Sequence, residues 1–190
     1  DEILCFSEAS RPLLLRAHPG LERTSLVPHV SDYVPARRPS VDPAAPLVIG
    51  VLGTIDFQKG AAIVTGIVRR LDRDRSDARV VVLGTLNAAR DSRRLRVTGP
   101  YDRRDLPELV ERHGINMFLF PSIWPETFSY VVAEMMTLGL PIVAFDLGAP
   151  AERLRGDPLA RLVADGAADG ALDAMLAFHG ELASRVAHAP

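Results

Sequence analysis

From residue 47 onward, short unbroken apolar runs alternate with stretches whose apolar residues recur every three or four positions. The first run, residues 47–52, is ended by Gly53 and has the continuous character of a strand buried on both faces. Residues 60–71 then place Ile63, Val64, Ile67, Val68 and Leu71 at helical spacing. The run at 79–83 predicts a second strand ended by Gly84, and 95–98 a shorter third ended by Gly99. Residues 105–113 predict a helix with Leu106, Leu109 and Val110 on one face. A fourth strand is expected at 117–120, and a helix over 128–138 closed by Gly139. The fifth strand, 141–145, carries Pro141 at its start, where a missing N–H is tolerated. Further helices are expected from 148 to 154 and from 169 to 179. Strands separated by single helices imply βαβ units, hence an α/β domain with a parallel sheet flanked by helices. Leu-Gly-Thr occurs at 52–54 and again at 83–85, and each copy reads as a strand end turning out of the sheet.

Residues 1–46 are patterned differently. Residues 3–6 are a short strand candidate, Ser10 a cap for a short helix to Ala17, and Leu26-Val27-Pro28 another extended run. Five of the 15 prolines lie from Pro28 to Pro46, with Arg37 and Arg38 among them, which is a linker composition. A chain of 190 residues makes one domain, or one with an appendage. It starts at Asp1, with neither a methionine nor a signal-peptide pattern, so a piece of a longer protein is expected.

Composition narrows the picture. Hydrophobic residues at 47% and charged residues at 24% are those of a folded globular domain and argue against disorder. The 22 basic and 24 acidic residues nearly cancel, which argues against a reader of nucleic-acid phosphates. No apolar run approaches the ~20 residues of a membrane span. The one cysteine, Cys5, cannot form an intrachain disulfide and has no partners for a metal cluster. Of the 22 basic residues 21 are arginines, a bias read here as compositional, and the one lysine is Lys59.

Ligands of a parallel sheet bind beyond the carboxyl ends of its strands, so the residues there matter most. The first strand leads into Gly53-Thr54-Ile55-Asp56-Phe57-Gln58-Lys59-Gly60. Its glycines allow a tight turn, the following helix start is an anion site, and Lys59 adds a point charge for a phosphate. It is neither a P-loop nor a G-x-G-x-x-G fingerprint, and a structural turn with a solvated lysine fits the same residues. The fourth strand leads into Pro121-Ser122-Ile123-Trp124-Pro125-Glu126-Thr127-Phe128. Thr127 is the expected helix cap, leaving the N–H groups of Phe128, Ser129 and Tyr130 free for an anion or hydroxyl. Glu126 reads either as a ligand contact or as an acid complementing the helix dipole. Glu134 stands among Val131, Val132, Ala133, Met135 and Met136, where a carboxylate is either paired or used. After the fifth strand comes Gly148, with Glu152 in the helix's first turns as a ligand contact or a dipole-favoured acid.

Taken together, Pro121-Ser122, Glu126 and Glu134 eight apart, Gly139-Leu140-Pro141, then Gly148 and Glu152, resemble the donor-binding signature of retaining GT-B glycosyltransferases, glycosyltransferase group 1 or family 4. The Gly53…Lys59-Gly60 turn is similar to that family's diphosphate loop. The resemblance covers residues 26–154 and implies a Rossmann-like domain, the C-terminal half of a GT-B fold. It implies that residues 1–25 end an N-terminal domain and its crossover, that 26–46 form the interdomain linker, and that 47–190 bind a nucleotide-diphosphate sugar. It implies that Lys59 neutralises the diphosphate, Glu134 bonds the ribose hydroxyls, and Glu126 contacts the transferred sugar. Backbone N–H groups of 128–130 would serve sugar and phosphate, with Gly99-Pro100-Tyr101 near the base and Glu152 on the Gly-Gly-x-x-Glu element. Three positions depart from the pattern. Thr54 stands where an arginine is common, and Glu126-Thr127-Phe128-Ser129 replaces Glu-Gly-Phe-Gly. Ala149 replaces the second glycine near Glu152. The implied enzyme needs no metal or other cofactor. It works in the cytoplasm, in polysaccharide biosynthesis, on a polysaccharide, lipid-linked or protein-linked acceptor held by the other domain. It has no nucleic-acid partner, no membrane span, and room for a peripheral membrane contact. The isolated piece is expected to be inactive. A GT-B-type sugar-nucleotide epimerase and a nucleotide-binding module without activity are the alternative readings.

Overall fold

The computed structural model describes residues 2–21, 23–88 and 92–188. Residues 1, 22, 89–91, 189 and 190, which the domain assignments 1–25 and 47–190 include, lie outside the described residues. The chain runs β1 (Ile3–Cys5), α1 (Arg11–Ala17), β2 (Thr24–Leu26), β3 (Val48–Ile55), α2 (Ala61–Arg73), β4 (Arg79–Leu86) and β5 (Leu95–Val97). It continues α3 (Leu106–His113), β6 (Met117–Phe120), α4 (Tyr130–Leu138), β7 (Ile142–Phe145), α5 (Gly148–Leu154), β8 (Ala160–Val163) and α6 (Ala168–Ala187). β1 and β2 pair in parallel as a small sheet of their own.

The main sheet has the order β5-β4-β3-β6-β7-β8, and every ladder in it is parallel. Alternate residues of each strand face opposite sides. Ile49, Val51, Val80, Val82, Leu119 and Val143 pack under α2 and α6. Val48, Leu52, Val81, Leu83, Phe118 and Ala144 pack under α3 and α4. After β3 the chain winds out to β5, then returns past β3 to β6 and winds the other way. Beyond the carboxyl ends of β3 and β6 the connections therefore part, which opens a crevice.

Several expectations are corrected. β3 and β4 do not end at their glycines. They continue to Ile55 and Leu86, and the two Leu-Gly-Thr copies lie side by side, with Leu52 beside Leu83, Gly53 beside Gly84 and Thr54 beside Thr85. A Cβ on Gly84 would stand 2.0 Å from the Gly53 carbonyl oxygen, so these strands close up only on glycine. A sixth strand, β8, completes the edge; the polar Arg161 inside its four residues hides it from an apolar-run search. α6 runs eight residues past 179, where its exposed, polar last turns carry little apolar signal.

The proline-rich stretch 26–46 lies against the α3–α4 face. Tyr33 is buried in that core, Arg37 binds Glu111 and Asp32 binds Arg103 at 2.8 Å. The Asn116 side chain bridges its end, accepting from Val48 N–H at 2.9 Å and donating to the Ala45 carbonyl at 3.2 Å.

Candidate functional site

The loops after β3 and β6 are tied to each other at the crevice. Asp56 organises the first: its Oδ1 accepts Lys59 N–H at 2.9 Å and its carbonyl accepts Ala61 N–H at 2.9 Å. Gly60 caps α2 in the left-handed region, φ 82°, and a Cβ there would lie 2.0 Å from the Pro121 carbonyl oxygen. Ile123 N–H then donates to the Gln58 carbonyl at 3.0 Å. This contact brings Lys59 Nζ to 2.5 Å from Glu126 Oε1. The carboxylate side chain is 11% exposed and the lysine 41%. At the start of α2 the N–H groups of Lys59, Gly60 and Ala61 are taken within the loop, while among the described residues those of Ala62 and Ile63 have no protein acceptor. This end of the loop therefore presents the ammonium of Lys59 beside the open N–H groups of the first turn of α2.

At the second loop the cap is Ser129, not Thr127. α4 begins at Tyr130, and Ser129 Oγ accepts Val132 N–H. The segment before it bends at Thr127 and Phe128, and the bond from Ala149 N–H to the Glu126 carbonyl, 2.9 Å, ties it to the start of α5, so the helix starts late. Among the described residues, the N–H groups of Phe128, Ser129, Tyr130 and Val131 have no protein acceptor. Ser129 has φ 80° and ψ 103°, a region that suits glycine. It stands where the resemblance places a glycine, and the backbone keeps the glycine-type conformation despite the side chain. Strained residues of this kind concentrate at ligand sites.

Lys59, Glu126, Thr127, Phe128, Ser129 and Tyr130 line one open cavity of about 530 Å³. A small adjoining hollow of about 50 Å³ is walled by Gly53, Thr54, Lys59 and Pro121. Residues that spacing did not single out also wall the larger cavity: Phe6, His29 and Trp124. His29 bonds the Tyr130 hydroxyl, and its ring lies 4.6 Å from that of Phe128 in an edge contact. The half-buried guanidinium of Arg153 sits 4.6 Å from the centre of the Phe128 ring. Its burial lowers its proton affinity. No sequence spacing connects residue 29 with residue 128, so nothing in the pattern could have found this contact.

Glu134 lies one turn along α4 from Tyr130 and interacts with Tyr33, Tyr101 and Arg103 rather than lining the Lys59 cavity. It is 8% exposed, the buried acid that its neighbours imply. Burial raises its pKa, opposed by the charge of Arg103 and by a hydrogen bond from Tyr101. Burial and the same carboxylate push the Tyr101 hydroxyl well above its ordinary range, so it stays a donor. The Tyr33 hydroxyl is fully buried and has no hydrogen-bond partner among the described residues. Gly99 and Pro100 lead into this cluster from the end of β5, with Gly99 N–H bonded to the Gly84 carbonyl at 2.9 Å. Tyr33 and Arg103 give no sequence signal; they are found through their contacts.

Glu152 stands apart from both groups. Its carboxylate accepts the backbone N–H groups of Glu8 at 3.2 Å and Ala9 at 2.8 Å, clipping the N-terminal segment to α5. The assignments therefore resolve into a Lys59–Glu126 cavity, a Glu134–Tyr101 cluster and the Glu152 clip.

The chain matches the family described as Glycosyl transferases group 1 over residues 46–180. It is 32% identical over 172 residues to the UDP-GlcNAc:ribostamycin N-acetylglucosaminyltransferase of Streptomyces fradiae, covering 86% of this chain and 44% of that protein. Its fold is similar to the sucrose-phosphate synthase of Thermosynechococcus elongatus, with TM-score 0.72 at 19% identity over 96% of this chain and 51% of that one. It is equally similar to Anabaena HepE in complex with UDP and glucose, with TM-score 0.72 at 17% identity over 95% of this chain and 54% of that one. The chain thus spans about half the length of these proteins. Among the described residues, no helix is long and apolar enough to cross a membrane.

Proposed function

Because the chain belongs to the glycosyl transferases group 1 family, we propose that it is the donor-binding half of a retaining GT-B glycosyltransferase, residues 47–190, tethered through 26–46 to a domain whose last elements are residues 1–25. The observation that carries this reading is the Lys59–Glu126 pair in the crevice between β3 and β6. The donor is a UDP-sugar, with UDP-N-acetylglucosamine first among the candidates, because the Streptomyces relative is named for that donor and HepE holds UDP.

In this reading the diphosphate lies against Lys59 and the open N–H groups of 128–131. Negative charge develops on it as the anomeric bond breaks, and fixed donors stabilise that charge more than water does. Glu126 turns from Lys59 toward the transferred sugar once the diphosphate takes its place on the ammonium. Glu134, held by Tyr101, accepts from the ribose hydroxyls. No cofactor is called for. Retention of configuration and a glycan, lipid-linked or other hydroxylated acceptor on the partner domain are carried over from the resemblance. The half by itself binds weakly and transfers nothing, since one wall of the cleft is open to water and nothing positions the acceptor.

Calorimetry of the wild-type chain with UDP, GDP, ADP, dTDP and UDP-N-acetylglucosamine tests this reading. UDP and its sugar should bind more tightly than the other nucleotides. Absence of nucleotide binding, or UDP affinity insensitive to Lys59→Ala, overturns it.

A further inference from the structure

A second cavity, of about 510 Å³, lies at the amino ends of β4 and β5, the opposite end of the sheet from the Lys59 crevice. Arg79 opens β4, and its side chain shares a sheet face with Val81, two residues on. Arg96 is the register partner of Val81, so it rises from that same face on β5. Above them the last turn of α3 supplies Arg112 and His113, and Arg93 closes the side from the segment before β5. Four guanidinium groups and an imidazole thus wall one concave site, and no acidic side chain lines it among the described residues.

Among the described residues, nearby partners leave much of this charge uncompensated. Arg112 is bound by Glu108 on α3, and Arg79 donates to the His113 carbonyl at 3.2 Å. Neither Arg93 nor Arg96 meets a carboxylate among the described residues. The field is felt at His113. Burial, then the charges of Arg96, Arg112 and Arg79, lower its pKa. Like charges held together without counter-ions are unfavourable, and an anion seated among them removes that penalty. Arginine forks match phosphate oxygens two at a time, and a hollow of this size takes more than one phosphate group.

We propose that this cavity binds a small polyanion carrying two or more phosphate groups, at a site separate from the Lys59 crevice. The ligand class is a diphosphate or bisphosphate in solution, since the walls are concave and the charges converge inward.

The test uses the whole chain and inorganic pyrophosphate, by calorimetry at low and high salt and by NMR of the His113 imidazole. In the Lys59→Ala background, which removes the crevice lysine, pyrophosphate should still bind, shift the His113 signals, and bind less tightly as salt rises. Adding Arg93→Ala and Arg96→Ala should weaken that binding roughly tenfold or more, since charge-assisted bonds are lost. The same two changes in a chain that keeps Lys59 should leave the Lys59-dependent part of UDP binding unaltered, which separates this proposal from the function proposed above. Both side chains are exposed, and Arg79→Ala serves as a second variant should the pair disturb folding. Pyrophosphate binding indifferent to these arginines, or absent once Lys59 is gone, overturns the proposal. So does binding to phosphatidylglycerol vesicles with none to pyrophosphate, which would assign the arginines to a membrane surface.

Discussion

Lys59 Nζ and Glu126 Oε1 stand 2.5 Å apart although 67 residues separate them, and they join the two loops that frame the crevice. The pair is half open to water on the lysine side, so it is a contact that a stronger anion can displace. Opposite effects are expected from its two halves. Lys59→Ala should weaken UDP binding roughly tenfold while leaving uridine binding unchanged, because a charge-assisted bond to phosphate is lost. Glu126→Gln should tighten UDP binding by up to about fivefold, since the carboxylate no longer competes for the ammonium. Calorimetry with UDP and uridine reads both; a parallel loss in the two variants would mean that the pair acts only as a structural tie.

Glu134 gives a pH signature. Burial holds its pKa above the ordinary carboxylate value, so the native state binds this proton more tightly than the unfolded chain does. Stability contributed here is therefore present at low pH and lost as pH rises from the unfolded value through the raised one. Glu134→Gln should remove that dependence. Melting temperatures of both proteins across about pH 4 to pH 8 should diverge in favour of the variant as pH rises. A constant difference would show that the carboxylate is fully compensated by Arg103 and Tyr101. The same variant should lose affinity for uridine as well as UDP, since a ribose contact is independent of phosphate.

Ser129→Gly tests backbone strain at the start of α4. The serine occupies a positive-φ conformation at a cost of about 1–3 kcal/mol. Losing its cap costs only a few tenths of a kcal/mol, and the extra unfolded-state freedom of glycine about 0.5–1 kcal/mol. At the middle of these ranges a net gain of about 1 kcal/mol is expected, seen as a melting temperature raised by roughly 2–4 °C at this chain length. A lowered melting temperature would mean that the hydroxyl does more than cap the helix.

Gly84→Ala should be among the more damaging single-methyl additions. The new Cβ would meet the Gly53 carbonyl at 2.0 Å, a backbone atom fixed by the sheet, at φ 135°. Overpacking and backbone strain together should cost roughly 3 kcal/mol or more. Gly99→Ala carries positive φ without any neighbour within 4 Å and should lose only about 1–2 kcal/mol. Urea unfolding of the two variants measures the gap, and equal losses would leave the pairing of the strand glycines without a steric role.

The alternating apolar runs specify most of the sheet, because a strand buried on both faces and a helix with one apolar stripe leave distinct periodicities in a single chain segment. β6 and α5 have the bounds that the sequence predicts. Lys59 and Glu126 are legible for the same reason: each follows a strand end, and topology puts such residues at the crevice. What a residue touches across the fold is not a local property. Only packing decides that the two Leu-Gly-Thr copies are neighbours, that Ser129 caps α4, and that Glu134 turns to Tyr101 and Arg103. Packing also engages Glu152 with the N-terminal backbone and assembles scattered arginines into one cavity. Periodicity records the solvent environment along one segment, whereas these contacts depend on side-chain reach between segments tens of residues apart.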